Sequence, residues 1–197
     1  MTEPTSESTS EPTPDSWQVG DRFLNLQTHW LTLIGEHWHT PDGEKLDYWR
    51  VEKADSVIVL PLQSQHLLLP PPIFRPGVGQ VTLDFPGGRL PAGLRPEDAA
   101  LQILVRELGV EKGAIAQLLP VNTQGWYVNS SFSNQTVFGF VAQLDPTFPV
   151  PYNHIGLSVP ATPTGIPTLL ENLRCLQCRA LLLEWWMQTA TAPSFEG

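Results

Sequence analysis

Gly87-Gly88-Arg89-Leu90-Pro91-Ala92-Gly93-Leu94-Arg95-Pro96-Glu97-Asp98-Ala99-Ala100-Leu101-Gln102-Ile103-Leu104-Val105-Arg106-Glu107-Leu108-Gly109 is the stretch whose reading decides the fold. A glycine pair leads into a short loop, and the loop into a helix over Pro96–Leu108. Pro96 suits the first helical position, where its missing N–H has no partner to lose. Glu97 and Asp98 lie at the positive end of the helix dipole, and Gly109 can close the far end. The glycines fit tight turns and close backbone approach.

Working outward, Gln80–Phe85 reads as a strand ending at Pro86-Gly87-Gly88. Ser56–Leu62 and His66–Leu69 are apolar runs bounded by polar residues, which suits two core strands. Thr40-Pro41-Asp42-Gly43 is a turn signal, so Trp30–His37 and Lys45–Val51 are expected to pair across it. Beyond the helix, Gln135–Leu144 reads as a further strand, and the Pro-rich segments 146–151 and 160–167 as loops. Leu169–Gln188 repeats apolar residues at helical spacing and is expected to form one long C-terminal helix. Strands with two unequal helices, and no internal repeat, predict a mixed α/β sandwich rather than a regular βαβ series.

The chain has 197 residues, 41% of them hydrophobic, enough for one sizeable core. Residues 1–16 are Thr, Ser, Glu and Pro with no aliphatic residue after Met1, and read as a disordered acidic tail. A single domain is expected over 17–190, divided into an N-terminal strand unit 17–55 and a core 56–190, with a short tail at 191–197. No apolar run reaches the ~20 residues a membrane helix needs, and no secretory signal opens the chain. Two cysteines exclude a disulfide scaffold and fit a reducing, cytoplasmic setting. The 20 acids outnumber the 11 bases, for a net charge of −9. No basic stripe exists to neutralise phosphates, which argues against duplex nucleic acid but leaves room for a nucleotide.

The glycine pair and helix resemble the box of the Nudix hydrolase superfamily, G-x5-E-x7-R-E-U-x-E-E-x-G-U with U a bulky aliphatic. Starting at Gly88 the pattern fits without a gap. Leu94 takes the first Glu position, Gln102 and Ile103 take Arg-Glu, Leu104 the aliphatic position, Arg106-Glu107 the Glu-Glu pair, and Gly109-Val110 follow. Ile73-Phe74-Arg75-Pro76 and Thr82-Leu83-Asp84-Phe85-Pro86 resemble the entry to the box in the ADP-ribose and sugar-nucleotide pyrophosphatase branch. Ser131-Phe132-Ser133-Asn134-Gln135 is similar to a later family loop that usually ends in a catalytic Glu. The resemblance covers roughly Phe23 to Trp186. It implies an α/β/α sandwich with a mixed sheet, extra N-terminal strands that often build a homodimer, and a C-terminal helix. It also implies hydrolysis of a diphosphate linkage assisted by Mg²⁺ or Mn²⁺.

In that family, Glu side chains three and four residues apart share one helix face and hold the divalent ions. Here Ile103, Arg106 and Glu107 stand on that face, Leu94 replaces the earlier Glu and Gln135 the later one. Leu, Ile and Arg for three Glu, with Gln for one Arg, make the pattern three charges more positive. Glu107 is the one box glutamate retained, so it carries both the catalytic and, with the Gly87 carbonyl, the metal-binding expectation. Two readings follow. In one, the protein is a catalytically impaired nucleotide-binding or regulatory module whose Arg106 meets phosphate directly. In the other, it remains a hydrolase of nucleoside diphosphate linkages using Glu107 with Asp84, Glu97 or Asp98.

Arg75, Arg89 and Arg106 are candidate phosphate ligands, against a reading as surface ion pairs. Gly87, Gly88, Ser133 and Gln135 are candidate loop positions. Glu107 has a second expectation, as a hydrogen-bond anchor for the Gly87-Gly88 segment. Trp126 and Tyr127 are candidates for stacking on a base, against packing in the core. Trp30, Trp38 and Trp49 suit either a dimer surface or a strand pair covering its own core. Trp185-Trp186-Met187 leave apolar surface for a protein partner. Cys175-x-x-Cys178 lacks a second cysteine pair and reads as core thiols within the helix. His29, His37, His39, His66 and His154 have no ligand spacing.

Overall fold

The structure is a computed structural model describing residues 16–191; the two expected tails lie outside these residues, apart from Ser16 and Thr191. The described residues divide into two compact units, 16–53 with 131–134, and 54–130 with 135–191.

The first unit is an antiparallel sheet of β1 (Gln18–Gln27), β2 (Thr32–His39) and β3 (Lys45–Glu52) in that order. The turn at Thr40–Gly43 joins β2 to β3 as expected, with Gly43 N–H donating to Thr40 O at 2.9 Å and φ +84° at Gly43. β1 was not expected. Nearly all its residues are exposed, so they show no burial alternation to betray a strand. Ser131–Asn134 belongs to this unit: Val51 N–H donates to Phe132 O at 2.8 Å, and the Lys53 N–H to Asn134 Oδ1 at 2.9 Å.

The second unit contains β4 (Ser56–Gln63), β5 (His66–Leu69), β6 (Ile73–Arg75), β7 (Gln80–Thr82) and β8 (Gly87–Arg89). These are followed by α1 (Pro96–Leu108), β9 (Ile115–Pro120), β10 (Trp126–Tyr127), β11 (Thr136–Leu144), β12 (Leu157–Pro160), α2 (Gly165–Asn172) and α3 (Leu176–Thr191). A sheet runs β10-β11-β4-β5-β12, with β8 also on β4 and β9 also on β11. β4 and β11 are parallel and the other pairings antiparallel, so the sheet is mixed.

The apolar run of β4 is explained by burial on both faces. Val57 and Val59 pack with Ala99, Ala100, Ile103, Leu104 and Leu108 of α1. Ile58 and Leu60 lie in the opposite layer, with Ile166 and Leu169 of α2 and Cys178, Leu181 and Leu182 of α3. This is the expected α/β/α sandwich. Gly139 lets α3 come close, because a Cβ there would sit 2.0 Å from Leu181 Cδ2. α1 spans the residues read from sequence, and Gly109 closes it at φ +62° with its N–H on Leu104 O.

Three expectations need correction. Gln80–Phe85 is a strand only to Thr82, because Phe85 turns into the core while β7 pairs with β6 in a separate hairpin. The loop expected over 160–167 ends sooner, since α2 begins at Gly165. The single C-terminal helix is two. Leu173 leaves helical geometry at ψ 99° to become fully buried, and the Arg179 guanidinium donates to the carbonyls of Leu170 and Leu173 that the break exposes.

Candidate functional site

The α1 face meets β8 through one compact exchange. Gly87 and Gly88 are extended, paired with Ile58 and Val57 of β4, and form a strand rather than the turn that two glycines suggest. Glu107 Oε2 accepts the Gly87 N–H at 3.2 Å. Arg106 Nη2 donates to Glu107 Oε1 at 2.6 Å and to Gly87 O at 3.1 Å. Glu107 and Arg106 together satisfy both backbone polar groups of Gly87 in β8, which is the anchoring role anticipated for Glu107. His154 Nδ1 lies 3.2 Å from the Glu107 carbonyl.

The other box positions are apolar or turned elsewhere. Ile103 is buried in the core under α1, and Leu94 packs against that same core. Glu97 and Asp98 lie in the first helical turn, where Arg95 Nε donates to Asp98 Oδ2 at 2.8 Å. That hydrogen bond holds the Asp98 carboxyl below its ordinary value.

A divalent cluster needs several oxygens: Mg²⁺ takes near-octahedral oxygen ligands, often one or two carboxylates with substrate phosphates and water. This face offers one carboxylate, with one oxygen on a guanidinium and the other on a backbone N–H. The Gly87 carbonyl, the other expected ligand, accepts from Arg106. The donor set present does not fit a metal cluster.

Arg75 binds Asp84 Oδ2 through Nε at 3.0 Å and Nη2 at 2.9 Å, with its side chain half exposed. Arg89 ends β8 and is exposed. Gln135 accepts the Val128 N–H at 3.0 Å through its backbone oxygen, whereas Ser133 bridges to Val51 within the N-terminal unit. The aromatic pair divides: Trp126 packs against the core, while Tyr127 is 72% exposed. Trp185 and Trp186 also pack against that core, and Met187 stays exposed.

The cysteines do not sit mid-helix as read. Cys175 lies in the break before α3 and Cys178 in its first turn. A hydrogen bond between the thiols, with Cys178 as donor, holds Cys175 below the ordinary thiol value; the same bond, then burial, raises Cys178. Asp84, just beyond β7, comes close to both cysteines, a proximity that nothing in the sequence pattern gave.

Comparison with known proteins bears on this geometry. No family profile matches the chain. Over 127 residues it is 32% identical to an ADP-sugar pyrophosphatase of Mus musculus, a match covering 59% of this chain and 57% of that protein. The chain thus spans little more than half the length of that relative. In fold it is similar to the crystal structure of an ADP compounds hydrolase, with a TM-score of 0.69 at 19% identity over 94% of this chain and 99% of that one. No helix among the described residues is long and apolar enough to cross a membrane. Through the matched stretch the chain is thus similar in sequence to an ADP-sugar pyrophosphatase, and across nearly its whole length it shares the fold of an ADP compounds hydrolase.

Proposed function

We propose that the protein uses a Nudix frame to bind a nucleoside diphosphate compound, such as ADP-ribose or a sugar nucleotide, with metal-assisted hydrolysis impaired. One observation carries this reading: the Arg106 guanidinium lies 2.6 Å from Glu107, where the family pattern places a second carboxylate. The Arg106 side chain is 60% exposed, so a phosphate can reach it from solvent. A bidentate guanidinium contact then replaces part of the charge neutralisation that ions supply in the family. Arg89, exposed at the end of β8, is a second candidate cation for the phosphate, and Tyr127 offers a ring for stacking on a base. The ligand class comes from the names of the two similar proteins, an ADP-sugar pyrophosphatase and an ADP compounds hydrolase.

The competing reading is a working hydrolase that uses Glu107 with Mg²⁺ or Mn²⁺. It is favoured by the retention of Glu107 at a box position and by the activity named for both similar proteins. Phosphate-coupled turnover over a panel of nucleoside diphosphate compounds, with either ion, separates the two. The expected rate is about 10²- to 10³-fold below ordinary, the cost of even one lost transition-state contact. A rate of about 1–10 s⁻¹ that requires metal and vanishes in Glu107→Gln overturns the proposal.

We further propose a cytoplasmic homodimer joined through the N-terminal sheet, which leaves Phe23, Leu26, Trp30 and Trp49 exposed. Sedimentation should show a dimer that Trp49→Glu converts to monomer. A monomer at all concentrations overturns the dimer.

A further inference from the structure

Away from the α1 face, three metal-ligating side chains converge. Asp84 lies just beyond β7, Cys175 in the break between α2 and α3, and Cys178 in the first turn of α3. One ligand atom from each lies within 4.8 Å of the other two. A tetrahedral ion with Zn–S of about 2.3 Å and Zn–O of about 2.0–2.2 Å sets such atoms about 3.5–3.8 Å apart. Small side-chain adjustments therefore bring all three onto one ion.

A second observation points to a ligand. The two oxygens of Asp84 are treated differently: Oδ2 accepts from Thr82 Oγ1 at 3.0 Å and from Arg75, whereas Oδ1 is buried with no hydrogen-bond partner. A carboxylate oxygen removed from water without a donor is costly, and a cation beside it removes that cost. Packing alone accounts for Cys178, which is buried in the apolar layer. It does not account for the orphaned oxygen of a carboxylate that lies beside two thiols.

We propose that Asp84 Oδ1, Cys175 Sγ and Cys178 Sγ bind one soft divalent cation of the Zn²⁺ class, with water as the fourth ligand. Two sulfur donors select such an ion over Mg²⁺. Binding forms two sulfur–metal bonds and one oxygen–metal bond, and releases the two thiol protons to solvent, with no change of oxidation state. Two thiolates and a carboxylate carry three negative charges. The ion balances two, and the Arg75 guanidinium, 2.9 Å from Asp84, balances the third. Arg75 and Thr82 also orient the carboxylate from behind, as partners of metal ligands do. Cys175 and Asp84 are only partly buried, which gives the ion a route from solvent. The bound ion would tie the segment leading into β8 to the start of α3.

The test uses the full chain, reduced, stripped of metal by a chelator and titrated with Co²⁺. The expected result is one Co²⁺ per chain with thiolate-to-cobalt charge-transfer bands, displaced by one equivalent of Zn²⁺. Zn²⁺ should also raise the thermal midpoint, because it binds only the folded form. Cys175→Ser should abolish the bands. The near-isosteric Asp84→Asn should weaken Zn²⁺ by about tenfold or more while circular dichroism stays unchanged. No band in a chain whose two thiols titrate as free overturns the proposal. So do bands that persist in Cys175→Ser, Zn²⁺ affinity unchanged in Asp84→Asn, or a Cys175–Cys178 disulfide that resists reduction. Because the readout is metal binding alone, it stands or falls independently of the reading given to Arg106 and Glu107.

Discussion

Glu107 and Asp84 are carboxylates of the same unit, and their surroundings are opposite. Glu107 stands where the Nudix pattern puts a metal ligand, yet both its oxygens are engaged, by Arg106 and by the Gly87 N–H. Asp84 stands outside that pattern, and one of its oxygens is buried with nothing to accept from. Family position and ligand capacity have therefore separated. The first marks where the resemblance would place an ion, and the second marks where this chain has a donor atom to spare. Glu36 in the N-terminal sheet gives a third reference point. It is fully buried, and it accepts from Arg22, Trp38 and Arg50 at 2.6–3.4 Å.

The largest effect expected from this comparison is at Glu36. Glu36→Gln removes the buried negative charge that pairs with Arg50, and breaking a buried pair in this way costs about 3–5 kcal/mol. Denaturant unfolding followed by tryptophan fluorescence should read it. The Arg50 hydrogen bond, helped by Trp38 and Arg22, holds the Glu36 carboxyl below the usual range. Its contribution is therefore complete above the ordinary Glu value of about 4.3 and is lost as pH falls through the lower folded value. The wild type should lose stability in that acid window, and Glu36→Gln should lose less there; parallel pH profiles would remove Glu36 as the cause.

Glu107→Ala should cost about 1–3 kcal/mol, because it leaves the Gly87 N–H unsatisfied. Glu107→Gln, which keeps an acceptor, should cost less than half as much. Equal losses for the two would show that the charge on Glu107, rather than its hydrogen bond, supports β8.

Gly139→Ala should cost about 1–3 kcal/mol by crowding Leu181. A neutral result would mean that α3 shifts readily on the sheet, which would weaken the claim that Cys175 and Cys178 are held in place.

The smallest effect is at Arg75, a half-exposed ion pair. Arg75→Gln should change stability by less than about 1 kcal/mol. It should still weaken Zn²⁺ binding if the guanidinium balances the charge of the Asp84 cluster. Zn²⁺ affinity equal to wild type would remove Arg75 from the charge balance of the cluster.

These contrasts follow what the sequence made legible. α1 was readable to its end residues because its signals are local: Pro96 at the start, Glu97 and Asp98 in the first turn, and Gly109 beyond the last. The core strands β4, β5 and β11 were readable because burial on both faces writes a continuous apolar run. The break between α2 and α3 was not, since the Arg179 guanidinium that satisfies the exposed carbonyls acts from the following helix. At the candidate site, sequence put Gly87 and Glu107 in one frame and allowed Glu107 to anchor the glycine strand. It gave no sign that Arg106 would bind both Glu107 and Gly87 O, because that depends on a side-chain direction. The Asp84–Cys175–Cys178 cluster was illegible for a related reason. A ligand far from a cysteine pair in sequence becomes visible only when the fold closes.

The central claim is that the α1 face has too few oxygens left to hold divalent ions, and Mn²⁺ binding tests it most directly. Electron paramagnetic resonance of Mn²⁺ titrated into the chain, in the presence of a non-hydrolysable nucleoside diphosphate compound, counts the ions bound. The prediction is no protein-held Mn²⁺ tighter than about millimolar, with the nucleotide still binding through Arg106. Two or more tightly held Mn²⁺ ions that disappear in Glu107→Gln would contradict the account.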